Sequence, residues 1–248
     1  MITIKSEEEI KIMREAGKIL ATVLKEIEKQ VKPGITTRDL DRAAEALILS
    51  YGAKPAFKGH EGFPYSLCAS VNENVVHGFP SDYVIKQGDI IGLDLGVLYK
   101  GYNSDMAVTV PVGEVSFEAK RLINVTKKSL RLGIKKVRPG NTVGDIGNTI
   151  QRFVEGQGFG IVRILCGHGI GKGIHEDPQI PNFGKRGAGP ELVEGMVICI
   201  EPMITAGDFN LKKSADGYGF ATKDGSLSAH FEHTIAVTKF GSKILTEL

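Results

Sequence analysis

An α+β fold made of two similar halves is predicted by three observations. The run Gln87-Gly88-Asp89-Ile90-Ile91-Gly92-Leu93-Asp94 is echoed about 107 positions later by Glu194-Gly195-Met196-Val197-Ile198-Cys199-Ile200-Glu201. A series of helix, breaker and helix signals recurs at an offset of about 106. After each helical pair the periodicity changes to the alternation of strands, with acids on two strands of each half.

The elements follow in order. Ser6 with Glu9 has the form of a capping box, and Ile10, Met13, Leu20, Val23, Leu24 and Ile27 follow at helical spacing, predicting a helix from Ser6 to Val31. Lys32-Pro33-Gly34 breaks it. Thr36 with Asp39 opens a second helix, with Leu40, Ala43, Ala44, Leu47 and Ile48 on its apolar side, closing at Gly52. The pattern returns as a helix from Phe117 to Val137, the breaker Arg138-Pro139-Gly140, and a helix opened by Thr142 and Asp145 that ends near Gly158. Cys68, His77 and Pro80 line up with Cys166, His175 and Pro178, and Asp105-Met106-Ala107-Val108-Thr109 resembles Glu232-His233-Thr234-Ile235-Ala236. Each echoed strand reads as a turn, an apolar run and a terminal acid. Two antiparallel sheets, covered by helices on their apolar outer faces, would leave one concave inner face lined by acids.

The chain of 248 residues, 42% hydrophobic and 24% charged, can bury one sizeable core, so it reads as one domain with halves of about 1–110 and 111–248. A net charge of +2 supplies no bias toward nucleic acid or acidic membranes, and neither is an expected partner. Cys68, Cys166 and Cys199 form no Cys-x-x-Cys pair, which predicts free thiols in a reducing compartment. No apolar run has the length of a signal sequence core or a membrane span, so a cytoplasmic location is expected.

Asp94, Asp105, Glu201 and Glu232 carry the chemistry. An ionised carboxylate in an apolar strand is costly unless paired, hydrogen-bonded or bound to metal, and four on one face would repel one another. Two divalent ions would balance their charge. The Gly-rich run from Gly167 to Pro178, with His168 and His175 seven residues apart, is the natural source of nitrogen ligands. Taken alone, a His in such a loop is more often a surface residue.

The run Val71-Asn72-Glu73-Asn74-Val75-Val76-His77-Gly78, the segment from Asp94 to Asp105, the run from Gly167 to Pro178, Glu201-Pro202-Met203 and Phe231-Glu232-His233-Thr234 together resemble the type I methionine aminopeptidases, across almost the whole chain. The resemblance implies the pita-bread fold and two divalent ions, of Co, Mn, Fe or Zn. It implies Asp94 on one ion, His168 and Glu201 on the other, and Asp105 and Glu232 bridging. It implies Glu201 as general base and acid, His175 at the carbonyl oxygen, and His77 at the scissile amide or substrate backbone. Asn72, Asn74 and Ser228 match positions that hold a monovalent cation in relatives. The type I assignment rests on the short interval of about 26 residues between His175 and Glu201, where type II relatives carry an insertion; the lack of the Cys-rich extension seen at the start of some eukaryotic type I enzymes implies a short, bacterial or archaeal-like form.

By the same resemblance Phe57, His60, Phe63, Cys68, Ile174 and Tyr218 wall a methionine pocket, with His77 nearby. Here the chain departs from the commoner pattern. Relatives frequently carry Tyr at the positions of His60 and Phe63, Phe at Ile174, Trp at Tyr218 and Gln at His230. His233 is expected to face away from Glu232. The implied activity is removal of the initiator methionine from nascent chains when the second residue is small, by a monomer that could dock on the ribosome. A proline-specific peptidase of the same superfamily and a non-catalytic peptide-binding scaffold are the alternatives.

Overall fold

Capping boxes start three of the four helices in the computed structural model, which describes residues 1–214 and 216–248. The Ser6 N–H donates to Glu9 at 2.8 Å and the Glu9 N–H returns a bond to Ser6 Oγ, opening α1 (Glu7–Gln30). Thr36 and Asp39 exchange the same pair of bonds at the start of α2 (Thr37–Ser50). Each cap contributes about 1 kcal/mol by satisfying donors the helix leaves open.

Strands β1 (Lys54–Pro55), β2 (Leu67–Val71), β3 (Asn74–Val76), β4 (Ile90–Tyr99) and β5 (Tyr102–Pro111) follow. Then come α3 (Phe117–Ile134) and α4 (Val143–Glu155), where Thr142 and Asp145 form the third box. The chain ends with β6 (Gly160–Ile161), β7 (Gly167–Gly169), β8 (Glu176–Ile180), β9 (Val197–Ile200), β10 (Met203–Thr205), β11 (Leu211–Lys213), β12 (Phe220–Thr222), β13 (Ser228–His230), β14 (His233–Thr238) and β15 (Gly241–Ile244). Both α3 and α4 stop about three residues before their expected ends, because the last turn gives way to the loops that lead to Gly140 and Gly158. Among the described residues no helix is long and apolar enough to cross a membrane.

Two sheets dominate. In one, β4 pairs antiparallel with β1, β2 and β5; in the other, the order is β15, β14, β9, β7, β8. Ile91, Leu93 and Leu95 are fully buried against Leu20, Leu24, Leu40 and Ile48 of α1 and α2, whereas Ile198, Ile200 and Ile235 pack with Leu122, Ile146 and Ile150 of α3 and α4. Each such side chain contributes roughly 1.5–3 kcal/mol on burial, and a few of them offset the cost of placing acids on the opposite face. One expectation is corrected: Asp94 does not end its strand. β4 runs five residues further, to Tyr99, because β5 pairs with it along its whole length from Ile90 to Tyr99. Glu201 does stand just beyond the end of β9.

Across the seam between the sheets, β5 runs antiparallel to residues 230–234. Among the described residues no continuous ladder joins them. The Glu232 N–H donates to the Ala107 carbonyl at 2.9 Å, and two threonine hydroxyls do the rest. Thr234 Oγ1 accepts from the Asp105 N–H and donates to its carbonyl, while Thr109 Oγ1 accepts from the His230 N–H and donates to its carbonyl.

Candidate active site

The pleat of β4 and β5 brings two acids to one face. Asp94 lies opposite Ala107 and Asp105 opposite Gly96, so both carboxylates and Cys68, which pairs with Asp94 from β2, point to the inner side of the sheet. Glu232 sits between β13 and β14, held by the seam, and Glu201 follows β9. Asp94, Asp105 and Glu232 offer oxygens within 4.8 Å of one another, and His168, Cys199 and Glu232 form a second such group that shares Glu232 with the first.

His168 completes the acid cluster from β7. Its Nε2 lies 3.6 Å from Glu201 Oε1 and 3.9 Å from oxygens of both Asp105 and Glu232. Its Nδ1 lies 2.9 Å from the Gly169 carbonyl. With the proton on Nδ1 and donated to that carbonyl, the unprotonated Nε2 faces the carboxylates, which is the tautomer a metal ligand requires.

The carboxyls are electrostatically frustrated. Burial pushes Asp94 up to about 7, with the Glu201 charge adding to it. Asp105 and Glu232 are driven well above the carboxylate range by burial first and by their acidic neighbours second. Glu201 is the exception: burial raises it, but His230, His168 and His77 outweigh that and hold it below its ordinary value. Asp94 Oδ1, Asp105 Oδ1, Glu232 Oε1 and His230 Nε2 are buried without a hydrogen-bond partner among the described residues. Orphaned oxygens on like-charged groups beside an imidazole lone pair fit divalent cations.

Beside the acids lies a cavity of about 370 Å³, lined by Phe57, His60, Phe63, Cys68, His77 and Tyr218 among others. Gly96 lets Phe57 in, since a Cβ there would come within 2.7 Å of its ring. Phe63 meets Tyr218 and Phe79 at centroid distances of 5.5 and 5.3 Å, and the Tyr218 hydroxyl donates to the Glu61 carbonyl at 2.8 Å, closing one wall. Ile174 does not line the cavity; it is buried in the cluster of Met13, Tyr102 and Ile170 against which Phe57 packs. Phe220 takes a place on the wall instead.

Three imidazoles run along one side. The rings of His168 and His175 stand 4.5 Å apart edge to face, and those of His175 and His60 5.3 Å apart. His175 is open to the cavity but hemmed in by protein elsewhere; that loss of water, with His168 and His60 beside it, lowers it to about 4. His77, on a backbone with φ of 58°, is lowered chiefly by burial. Both are neutral near pH 7.

Asn72, Asn74 and Ser228 also come together. Ser228 Oγ donates to the carbonyl oxygens of Asn72 at 3.1 Å and Asn74 at 2.9 Å. His233 faces away from the acids and meets Thr246 Oγ1 at 2.8 Å. Two residues at the site were given no role from the sequence, His230 being noted there only as a departure from relatives. His230 Nε2 stands 3.5 Å from Glu201 Oε2, at the limit of hydrogen-bond range, and Cys199 Sγ belongs to the second donor group. Each lies two residues before an acid, so strand alternation could have put both on the acid face.

The chain is similar in sequence and fold to known proteins. Residues 11–239 match the metallopeptidase family M24. The methionine aminopeptidase of Clostridium perfringens is 51% identical over 246 residues, covering 99% of each chain, and methionine aminopeptidase 1 of Bacillus subtilis is 48% identical over 248 residues, covering all of both. The crystal structure of the Thermotoga maritima methionine aminopeptidase superimposes with a TM-score of 0.98 at 45% identity over the full length of both chains. The Pyrococcus furiosus prolidase superimposes with a TM-score of 0.80 at 26% identity, over 99% of this chain but 65% of the prolidase. The α+β fold is thus the pita-bread fold of these peptidases, and the chain belongs to metallopeptidase family M24 and, within it, to the methionine aminopeptidases.

Proposed function

We propose that this chain removes the N-terminal, initiator methionine from nascent proteins and peptides, with preference for a small second residue. The observation that carries the reading is the junction of an acid and imidazole cluster with a cavity of about 370 Å³ that has aromatic walls. Asp94 would hold one divalent ion and His168 with Glu201 a second, with Asp105 and Glu232 between them; the grouping of Asp94, Asp105 and Glu232 and the 3.6 Å approach of His168 Nε2 to Glu201 support this reading. When bound, such ions lower the pKa of water and polarise a carbonyl. The backbone oxygens gathered at Ser228 by Asn72 and Asn74 are suited to a monovalent cation. The repeated helical pairs and acid strands support one catalytic unit built by duplication.

The side chains divide the work. Glu201, kept ionised by its histidine neighbours, takes a proton from the attacking water and returns it to the leaving amine. His175, neutral, donates its N–H to the carbonyl oxygen as negative charge develops there. His77, also neutral, donates to the substrate backbone. Phe57, Phe63, Cys68 and Tyr218 exclude water around the methionine side chain, with His60 at its edge.

The test is hydrolysis of Met-Ala-Ser beside x-Pro peptides, after chelation and single-metal add-back with Mn, Fe, Co or Zn. Release of methionine that chelation abolishes and one metal restores is expected. Preference for x-Pro would move the chain to proline-specific chemistry, and an inactive protein that binds no metal would make it a scaffold.

A further inference from the structure

The turn between His168 and His175 is tied to a residue remote from the cavity. Within it the Gly171 N–H donates to the Gly173 carbonyl at 3.0 Å, and the Gly173 N–H donates to Glu176 Oε1 at 2.9 Å. Asn103, two residues before Asp105, grips the other side: its N–H reaches the Gly171 carbonyl at 2.8 Å and its Nδ2 the Lys172 carbonyl at 2.9 Å. Glu176, directly after His175, uses its second oxygen to accept from Lys5 Nζ at 2.8 Å and from Thr3 Oγ1. The Lys5 and Glu176 side chains are only 5% and 16% exposed, so this pair is largely removed from water.

Lys5 also has a second attachment. Its backbone N–H donates to the Gly195 carbonyl at 2.8 Å, in the turn that leads into β9 and so to Glu201. The packing is tight at its stem, since a Cβ on Gly171 would stand 2.6 Å from Lys5 Cε. One residue therefore joins the loop that carries the two histidines to the strand that ends at the general base.

A buried ion pair is a weak stabiliser against an apolar replacement, yet removing one partner leaves an uncompensated charge, so its strongest effect is on which geometry is allowed. We propose that Lys5 and Glu176 are positioning residues for catalysis: their ion pair fixes His168 and His175 relative to Glu201 without touching substrate. The kinetic part of this inference rests on the aminopeptidase reading.

The experiment compares wild type with Lys5→Met, Glu176→Gln, the double variant and the charge-conserving Lys5→Arg, all as full chains reconstituted with Mn. Each single neutral variant is expected to lose about tenfold or more in kcat on Met-Ala-Ser with KM unchanged, as small misplacements of catalytic groups do. The double variant should be no worse than the poorer single, and Lys5→Arg should recover most of the rate. Imidazole proton signals of His168 and His175 in the metal-free proteins, assigned by NMR, should shift in Lys5→Met and return toward wild type in Lys5→Arg. Unmoved imidazole signals, or a lowered Tm with kcat intact well below melting, would overturn the proposal. A wild type that releases no methionine would instead count against the proposed activity, and the imidazole signals would still decide the positioning role.

Discussion

The Thr234 hydroxyl clips Asp105 across the seam between the two sheets, accepting the Asp105 N–H at 2.9 Å and donating to the Asp105 carbonyl at 2.8 Å. Thr234 is fully buried, so nothing else can satisfy those groups if the hydroxyl is removed. Thr234→Val keeps the shape and leaves a buried N–H and C=O unpaired, at a cost of about 2 kcal/mol or more. Urea unfolding of the metal-free protein should register that loss, and titration with Mn should find weaker binding because Asp105 is displaced. Thr234→Ser should restore both; an unchanged unfolding midpoint in Thr234→Val would remove the clip from the account of the fold.

Asp94 makes the metal-free protein sensitive to pH in a direction that can be worked out. Its folded pKa of about 7 lies above the unfolded value, so the folded state binds more protons between roughly pH 4 and pH 7, and stability from this group is lost as pH rises through that window. His175 and His233, both lowered to about 4, act in the opposite sense, since their contribution is lost as pH falls from the unfolded histidine value toward 4. A difference measurement separates them. Metal-free Asp94→Asn should be more stable than wild type at pH 7, with the advantage gone by pH 4, and it should lose most of the rise in Tm that divalent metal gives the wild type. Equal stability of the two proteins at pH 7 would contradict the frustration assigned to this site.

The acid and imidazole roles predict different kinetic losses. Glu201→Gln removes the proposed proton carrier and should lower kcat by roughly 10²–10⁴. His175→Ala removes the proposed donor to the developing oxyanion and should cost about 10²–10³ in kcat. Metal content after reconstitution distinguishes them, because Glu201, 3.6 Å from His168 Nε2, is a proposed ligand whereas His175 is not. Full metal occupancy with depressed kcat is expected in His175→Ala; loss of metal from that variant would reassign it as a ligand.

Tyr218 closes the cavity by its ring contacts with Phe63 and Phe79 and by the bond from its hydroxyl to Glu61. Tyr218→Ala opens that wall and would leave a methionine side chain bound in the proposed pocket partly in water. KM for Met-Ala-Ser should rise about tenfold, the worth of a few buried methylenes, with a smaller change in kcat. Tyr218→Phe, which keeps the ring, should bind substrate nearly as well as wild type; a loss as large as that of Tyr218→Ala would transfer the effect from the ring to the hydroxyl bond.

Much of the architecture is written locally and can be read without coordinates. Ser6 with Glu9, Thr36 with Asp39 and Thr142 with Asp145 start helices through bonds that span three residues, so short-range spacing suffices to find them. Alternation likewise puts Asp94 on the face opposite Ile91, Leu93 and Leu95, and the resemblance of five separated motifs supplied the family before any distance was known. What depended on the tertiary structure are relations between residues far apart in the chain. The clip of Thr234 on Asp105 spans 129 positions, and the pair of Lys5 with Glu176 spans 171. His230 became a neighbour of Glu201, and Ile174 withdrew behind Phe57, only when the two sheets met. Local propensity and alternation act over a few residues, whereas the frustration of the acids arises from groups that only the closed fold brings within Coulomb range of one another.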